Sequence, residues 1–202
     1  GHERQMALLD KYGIRGSISL STAMCEHHPE IIEMCRERQW EFFSHGIYNT
    51  RYSYDMSEAQ ERSIIEDSIR TVQDATGQRI RGWLAPALTH TPRTLDLLAE
   101  YDFDYTCDLY HDDQVQAVKT ATGDLVSIPY SLEVNDHYGF FVYNMSGREY
   151  ADTLIRRFVA DNPDEIREDI PLPALSLGDL VVGRTMGAYT AAHATDFNFI
   201  PR

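Results

Sequence analysis

The sequence predicts an α/β protein with a mainly parallel sheet, and the order of its segments supports this fold class. Strand-like and helix-like segments alternate over the first two-thirds of the chain, which is typical of β-α-β units joined by right-handed crossovers. Polar clusters follow the predicted strands directly, and this edge of the sheet or barrel is where α/β proteins place their sites. At 202 residues the chain is expected to form one domain.

Short apolar or β-branched runs mark the strands. The first has Ile18 and Leu20 spaced to lie on one face. The predicted strands cover residues 14–20, 40–43, 79–84 and 105–109, followed by two shorter segments at 115–119 and 125–130.

Capping signals place helices between these strands. Pro29 suits the first turn of one helix, where its missing N–H costs nothing. Ser57 followed by Gln60 is a capping box, and it predicts a long helix that stops at Gly77. Pro92 opens another helix in the same way as Pro29.

The last third of the chain is less regular. A helix is predicted over residues 148–159. Residues 161–202 are rich in proline and acidic residues and have little periodicity, so we expect an irregular tail. The predicted core therefore spans about residues 5–160 of a single domain.

Composition excludes several classes of protein. The 18 Lys and Arg against 32 Asp and Glu give a net charge of −14, and no basic cluster suits a nucleic acid. No apolar run reaches the roughly 18 residues of a membrane span. Three scattered cysteines and the absence of a visible secretory signal favour a cytoplasmic location. Phosphate-binding loops, G-x-S-x-G elbows and H-E-x-x-H metal motifs are absent from the sequence.

Two polar clusters are the main candidates for a functional site. His45 follows the second predicted strand and has Asn49 and Arg51 close behind it. After the fourth strand comes the densest ionisable group of the chain, which contains Asp108, His111, Asp112, Asp113 and Gln114. Crowded carboxylates can raise the pKa of one member enough to make it a general base, or can bind a cation. The alternative is a solvated acidic loop.

A third candidate is Asn135 with Asp136, for which an ordinary Asx turn is the competing interpretation. His27 and His28 lie at the entrance to a helix and are not expected to form a metal pair, because adjacent side chains project in different directions.

The motifs after the strands resemble those of the polysaccharide deacetylase (NodB-homology) family, over about residues 5–160. The matching segments are EFFSHGIYN, IRGWLAP, CDLYHDDQ and SIPYSLEVND. The likeness is greatest to a divergent branch that includes metal-independent allantoinases. The resemblance implies a distorted, incomplete (β/α) barrel without its first strand or strands, and hydrolysis of a non-peptide C–N bond.

Departures from the family pattern bear on metal binding. The family's H-x-x-x-H maps onto His45 and Asn49, so its second histidine is absent. The paired aspartates of the first motif would lie upstream of this chain, the arginine of R-x-P is replaced by Leu84, and no late L-x-H motif is recognisable. Since a catalytic zinc takes three protein ligands, we expect no cofactor, and a divalent metal only if its ligands lie upstream.

This resemblance suggests roles for the candidate residues. Asp112 or Asp113 would act as the base, with His45 as a further catalytic residue. Trp83 would form a stacking floor for a flat ring or a sugar. The residues expected to bind substrate are Asn49, Arg51, Trp83, Asp108, Gln114, Asn135 and Asp136.

Three interpretations remain open at this stage. The first is a hydrolase of a small amide, ureide or amino-sugar substrate, acting without metal and without nucleic-acid or membrane partners. The second is a non-catalytic domain that binds a carbohydrate or small ligand. The third is a truncated chain whose unpaired sheet edge favours a homo-oligomer.

Overall fold

A computed structural model describes residues 2–111, 114–132 and 134–161 of the 202-residue chain. The predicted tail at 161–202 lies outside these ranges except for its first residue. The α-helices are α1 (His2–Lys11), α2 (Met24–His27), α3 (Pro29–Glu37), α4 (Glu58–Thr76), α5 (Thr94–Glu100) and α6 (Gly147–Asp161). The strands are β1 (Ser17–Leu20), β2 (Glu41–Ser44), β3 (Gly82–Trp83), β4 (Tyr105–Thr106), β5 (Gln116–Lys119) and β6 (Asp124–Ser127).

The strands form one open six-stranded sheet in the order β1-β2-β3-β4-β6-β5. Strands β1 to β4 and β6 are parallel, and β5 pairs antiparallel with β6 at the edge. The register aligns Ser44 with Trp83 and Trp83 with Thr106, so the ends of β2, β3 and β4 lie side by side. The predicted α/β fold and incomplete barrel are confirmed.

Helix α4 shows how local signals set the element boundaries. The Ser57 side chain accepts a hydrogen bond from the Gln60 backbone N–H, and the Gln60 side chain accepts one from the Ser57 backbone N–H. At the other end, Gly77 adopts a left-handed conformation (φ 74°) and its N–H bonds to the Gln73 carbonyl. Both the capping box and the stop at Gly77 are as predicted.

The core lies between the sheet and the helices. Helix α4 contributes apolar side chains at helical spacing, and α5 packs Leu97 and Leu98 against the same layer. The most buried large side chains of this core are Phe42, Ile65, Val72, Leu98 and Leu125.

The helix at the start of the chain and a short π-helix before α6 were among the elements not predicted. Helix α1 has few apolar residues, and it packs mainly through Met6, which is buried, and Leu9. A short π-helix covers Tyr138–Val142, immediately after Asn135. No helix within the described ranges is long and apolar enough to cross a membrane.

Candidate functional site

The candidate site lies at the carboxyl ends of three neighbouring strands. His45 directly follows β2, Leu84 and Ala85 follow β3, and Asp108 lies two residues beyond β4. Because these strands are parallel and adjacent, residues far apart in sequence meet at one edge of the sheet.

The His45 ring is held at both nitrogens. Its Nδ1 lies 2.7 Å from the Leu84 carbonyl oxygen, and its Nε2 lies 2.8 Å from the Asn49 side-chain oxygen. A carbonyl oxygen only accepts hydrogen bonds, so Nδ1 carries the hydrogen. The Asn49 oxygen also only accepts, so the ring as placed donates from both nitrogens; a ring without hydrogen on Nε2 would instead accept from the Asn49 amide nitrogen after a side-chain flip. Asn49 thus occupies the side of His45 Nε2 at which a metal ion would bind.

Gly46 forms the turn that follows β2. Its φ is +67°, in the left-handed region where side chains are disfavoured. A Cβ at this position would lie 3.4 Å from Cδ of Pro86. The Gly46 carbonyl also accepts a hydrogen bond of 2.9 Å from the N–H of Thr22. This turn therefore ties together the loops that follow β1, β2 and β3.

Asp108 is a buried carboxyl group with only 2% of its surface exposed. Its Oδ1 accepts a hydrogen bond of 2.7 Å from the Ala85 N–H. Its Oδ2 is buried and has no hydrogen-bond partner among the described residues. Burial raises the pKa of Asp108 to about 7, against the opposing effect of hydrogen bonds from Ala85 and Thr106. Near neutral pH this carboxyl group can therefore both take up and release a proton.

His45 and Asp108 are joined through a single peptide group. Leu84 supplies its carbonyl to His45, and Ala85 supplies the N–H of the same peptide to Asp108. The two bonds lie at opposite ends of this unit, which polarises it.

Asp108 lines a cavity of about 570 Å³. The cavity walls come from the loop after β3, the loop after β4 and strand β5. The other lining residues are Leu88, His90, Leu109, Tyr110, His111, Ala117 and Val118. Burial raises the pKa of Tyr110, and the charges of Tyr130, Tyr138 and Asp108 raise it further. Tyr110 therefore lies close enough to the buried carboxyl group of Asp108 to interact with it electrostatically.

The loop after β3 is held by a buried carboxylate that the sequence analysis missed. Glu61 of α4 is 4% exposed and accepts hydrogen bonds from the hydroxyls of Thr91 and Thr94, at 2.8 and 2.7 Å, and from Arg93 at 2.9 Å. In the sequence, Glu61 lies three residues before the buried Ile64, on the apolar face of the helix. An acidic residue on the apolar face of a helix could have indicated a buried ion pair, because a buried charge needs partners.

The structure brings together some of the predicted residues. His45, Asn49 and Asp108 share the strand-end site. Arg51 is exposed in the loop after β2, and its side chain makes no hydrogen bond or ion pair within the described ranges. Gln114 is exposed just before β5. Asp112 and Asp113 lie outside the described residues.

Two predicted roles do not fit the positions found. Trp83 is only 4% exposed, and its ring packs edge-to-face on Phe103 at 5.7 Å, so it offers no open face for stacking. Asn135 accepts a hydrogen bond from the N–H of His137, which is the Asx turn given as the alternative, and its amide donates to the Tyr130 hydroxyl. Asp136 is exposed in the turn that follows.

The described residues do not supply the ligand set of a catalytic metal. Among them no group of three or more His, Cys, Asp or Glu side chains is arranged to hold a metal ion. At His45 the neighbour facing Nε2 is the amide of Asn49, a group that binds zinc poorly compared with imidazole.

Comparison with known proteins gives a consistent assignment. The family model described as polysaccharide deacetylase matches residues 2–106. A peptidoglycan deacetylase of Helicobacter pylori is 24% identical over 161 residues, which cover 80% of this chain and 50% of that protein.

Solved structures show the same fold. A structure named Puue allantoinase superposes with a TM-score of 0.69 at 29% identity, covering 79% of this chain and 53% of that one. A probable polysaccharide deacetylase of Pseudomonas aeruginosa gives a TM-score of 0.66 at 27% identity, covering 78% and 53%. The chain thus spans about half the length of these relatives.

Proposed function

This chain belongs to the polysaccharide deacetylase family, and on that premise we propose that its strand-end site hydrolyses a non-peptide C–N bond. The bond class includes amides, N-acetyl groups and cyclic ureides. The named relatives support this range, since one is a peptidoglycan deacetylase and another an allantoinase.

The proposal rests on the buried Oδ2 of Asp108, which has no hydrogen-bond partner in the part of the chain that the structure describes. A buried carboxylate oxygen without a donor costs free energy, on the order of 1–3 kcal/mol. It lies at the edge of the sheet where this fold class places its chemistry, and Asp108 lines a cavity. A substrate or a bound water would supply the missing partner. With a pKa of about 7, the group is suited to proton transfer.

In the proposed reaction Asp108 acts as the base. Its Oδ2 takes a proton from water as the water oxygen bonds to the carbonyl carbon, giving a tetrahedral intermediate with a negatively charged oxygen. That intermediate then collapses, the C–N bond breaks, and the nitrogen takes a proton from a general acid of the site or from solvent as it leaves. Asp112 and Asp113, the bases expected from the sequence, are the alternative for the first step.

His45 and Asn49 would orient the substrate. When the Asn49 amide nitrogen faces His45, its oxygen is available to accept an N–H of the substrate. The guanidinium of Arg51 lies two residues further along the same loop and would stabilise the developing oxyanion.

We propose that the reaction proceeds without a bound metal. The support is the amide of Asn49 against His45 Nε2, where a second imidazole would be needed to hold a metal. Ligands upstream of this chain are the alternative, and a chelator distinguishes the two.

The test is hydrolysis of allantoin and of N-acetylglucosamine oligomers by purified protein, with and without chelator. Asp108→Asn is compared with Asp74→Asn, an exposed aspartate on α4 that makes no hydrogen bond within the described ranges. We expect chelator-resistant turnover, reduced about 100-fold or more in Asp108→Asn and unchanged in Asp74→Asn.

Other outcomes separate the alternatives. Loss of turnover in Asp112→Ala or Asp113→Ala, with Asp108→Asn active, would transfer the role of base to the variant residue. Loss on chelation would indicate a metal enzyme. A folded wild-type protein that binds a glycan but converts no substrate would support the non-catalytic interpretation.

A further inference from the structure

We infer that His90 is the general acid of this site, donating a proton to the nitrogen that leaves when the C–N bond breaks. This inference rests on the proposed hydrolytic function. It concerns a residue that neither the motifs nor the comparisons single out.

The position of His90 supports this role. His90 and Asp108 line the same cavity, from the loops after β3 and β4 respectively. General acid–base hydrolysis needs two proton-transfer groups on either side of the reacting carbon, one for water and one for the leaving nitrogen. One such group is Oδ2 of Asp108, which has no partner within residues 2–111, 114–132 and 134–161, and the cavity brings an imidazole to the same space.

The orientation of the His90 ring also supports this role. The Nδ1 of His90 lies 3.2 Å from the Leu88 carbonyl oxygen, so this nitrogen carries a hydrogen and Nε2 is left for proton transfer. His111 also lines the cavity, but its ring makes no hydrogen bond within the described ranges. The bond to Leu88 orients the exposed ring of His90, and an oriented imidazole is the better proton donor.

The backbone just before His90 adopts an unfavourable conformation. Ala87 and Leu88 both have positive φ, at 52° and 57°, which costs on the order of 1–2 kcal/mol for each residue. The surrounding contacts maintain this conformation: the Thr89 hydroxyl donates to the Pro86 carbonyl at 2.9 Å, and its oxygen accepts from the Ser53 N–H at 2.8 Å. The loop is therefore held in a strained form that places His90 at the cavity.

The proton balance closes over one cycle. Asp108 gains the proton of the attacking water, and His90 gives its Nε2 proton to the leaving nitrogen while Nδ1–H stays on the Leu88 carbonyl. Transfer of a proton from Asp108 to His90 through solvent in the open cavity restores both groups. The other titratable side chains that line the cavity are Tyr110 and His111.

The experiment compares two substrates that share an acyl group and differ in the leaving group, one an alkylamide and one a 4-nitrophenyl ester. The 4-nitrophenolate ion departs without a proton and needs no general acid. We expect His90→Gln to lower kcat about 100-fold for the alkylamide and less than about fivefold for the nitrophenyl ester.

Matched variants complete the design. His28→Gln changes an exposed histidine at the start of α3, paired with Glu30, and should leave both rates unchanged. His90→Asn guards against a folding defect of the glutamine variant. Equal losses on both substrates, or the leaving-group effect in His111→Gln instead, would overturn the assignment. If wild-type protein hydrolyses neither substrate nor any of the earlier panel, the proposed function itself fails.

Discussion

His45 and Asp108 are hydrogen-bonded to opposite ends of one peptide group. The ring Nδ1 of His45 lies 2.7 Å from the Leu84 carbonyl oxygen, and Asp108 Oδ1 lies 2.7 Å from the nitrogen of Ala85. Charge on either side chain therefore polarises the bond made by the other. The loop after β3 acts as a rigid bridge between the two strand ends, and five predictions follow from the groups around it.

The stability of the protein should fall as pH rises towards 7. The pKa of Asp108 is raised to about 7 when folded, and lies near 3.9 in an unfolded chain. Between these values the folded state binds more protons, so the free energy of unfolding decreases with pH and levels off above pH 7. From pH 5 to 7.5 we expect a loss of up to about 3 kcal/mol from this group.

Urea unfolding at the two pH values checks this prediction. Asp108→Asn should lack this loss, whereas Asp74→Asn should keep it. The prediction would be contradicted if the free energy of unfolding rose with pH by the same amount in wild-type protein and in Asp108→Asn.

Removing the Asn49 amide should impair catalysis with little effect on folding. Asn49→Ala leaves Nε2 of His45 without its partner at 2.8 Å, so the ring is less well oriented. We expect kcat/KM to fall about tenfold, equivalent to one hydrogen bond. Thr50→Ala changes the neighbouring exposed residue and serves as the control. Equal activity in the two variants would remove Asn49 from the site.

Gly46→Ala should reduce both stability and activity. The left-handed φ of +67° costs an alanine about 1 kcal/mol, and the added methyl group would lie 3.4 Å from Pro86. Gly77 has a similar φ of +74° at the end of α4, with no atom within 4 Å of an added Cβ. Gly77→Ala should therefore lose similar stability in thermal unfolding and keep full activity. A fully active Gly46→Ala would show that this turn does not position the site.

Glu61→Gln should destabilise the loop after β3. The substitution removes the charge that pairs with Arg93, a partly exposed side chain, and weakens the bonds from Thr91 and Thr94. We expect a loss of about 1–3 kcal/mol in the free energy of unfolding. Glu58→Gln breaks an exposed pair with Arg62 and should cost less than about 0.5 kcal/mol. Indistinguishable denaturation midpoints for the two variants would show that Glu61 does not stabilise the loop after β3.

Local sequence signals predicted which helices and strands form better than they predicted where those elements begin and end. The capping box at Ser57 and Gln60 involves neighbouring backbone groups, so it is legible in the sequence and is found in the structure. Strand β3 was predicted over residues 79–84 but pairs only at Gly82–Trp83, because ladder bonds depend on neighbouring strands. Helix α1 was missed because a ten-residue segment with few apolar positions carries a weak periodic signal.

The order of strands and helices predicted that polar clusters gather at one edge of the sheet, and His45, Asn49 and Asp108 lie together there. Their catalytic and binding roles stay predictions. His45 follows the second predicted strand and Asp108 lies near the end of the fourth, so the alternation of strands and helices placed them at one edge. The burial of Asp108 depends on the register between Trp83 and Thr106, which no local pattern reveals. The same limit explains the incorrect role for Trp83, whose face of the sheet could not be fixed from a short apolar run.

The most direct test of the account is the pH–rate profile of Asp108→Asn beside that of Asp74→Asn, measured on the substrate that wild-type protein hydrolyses fastest. The account predicts that wild-type protein and Asp74→Asn share a rate that rises through about pH 7, where Asp108 ionises. Asp108→Asn should lose that rise together with about 100-fold in kcat. An Asp108→Asn variant that keeps both the wild-type rate and the wild-type profile would contradict the central claim that this buried carboxyl group performs the proton transfer.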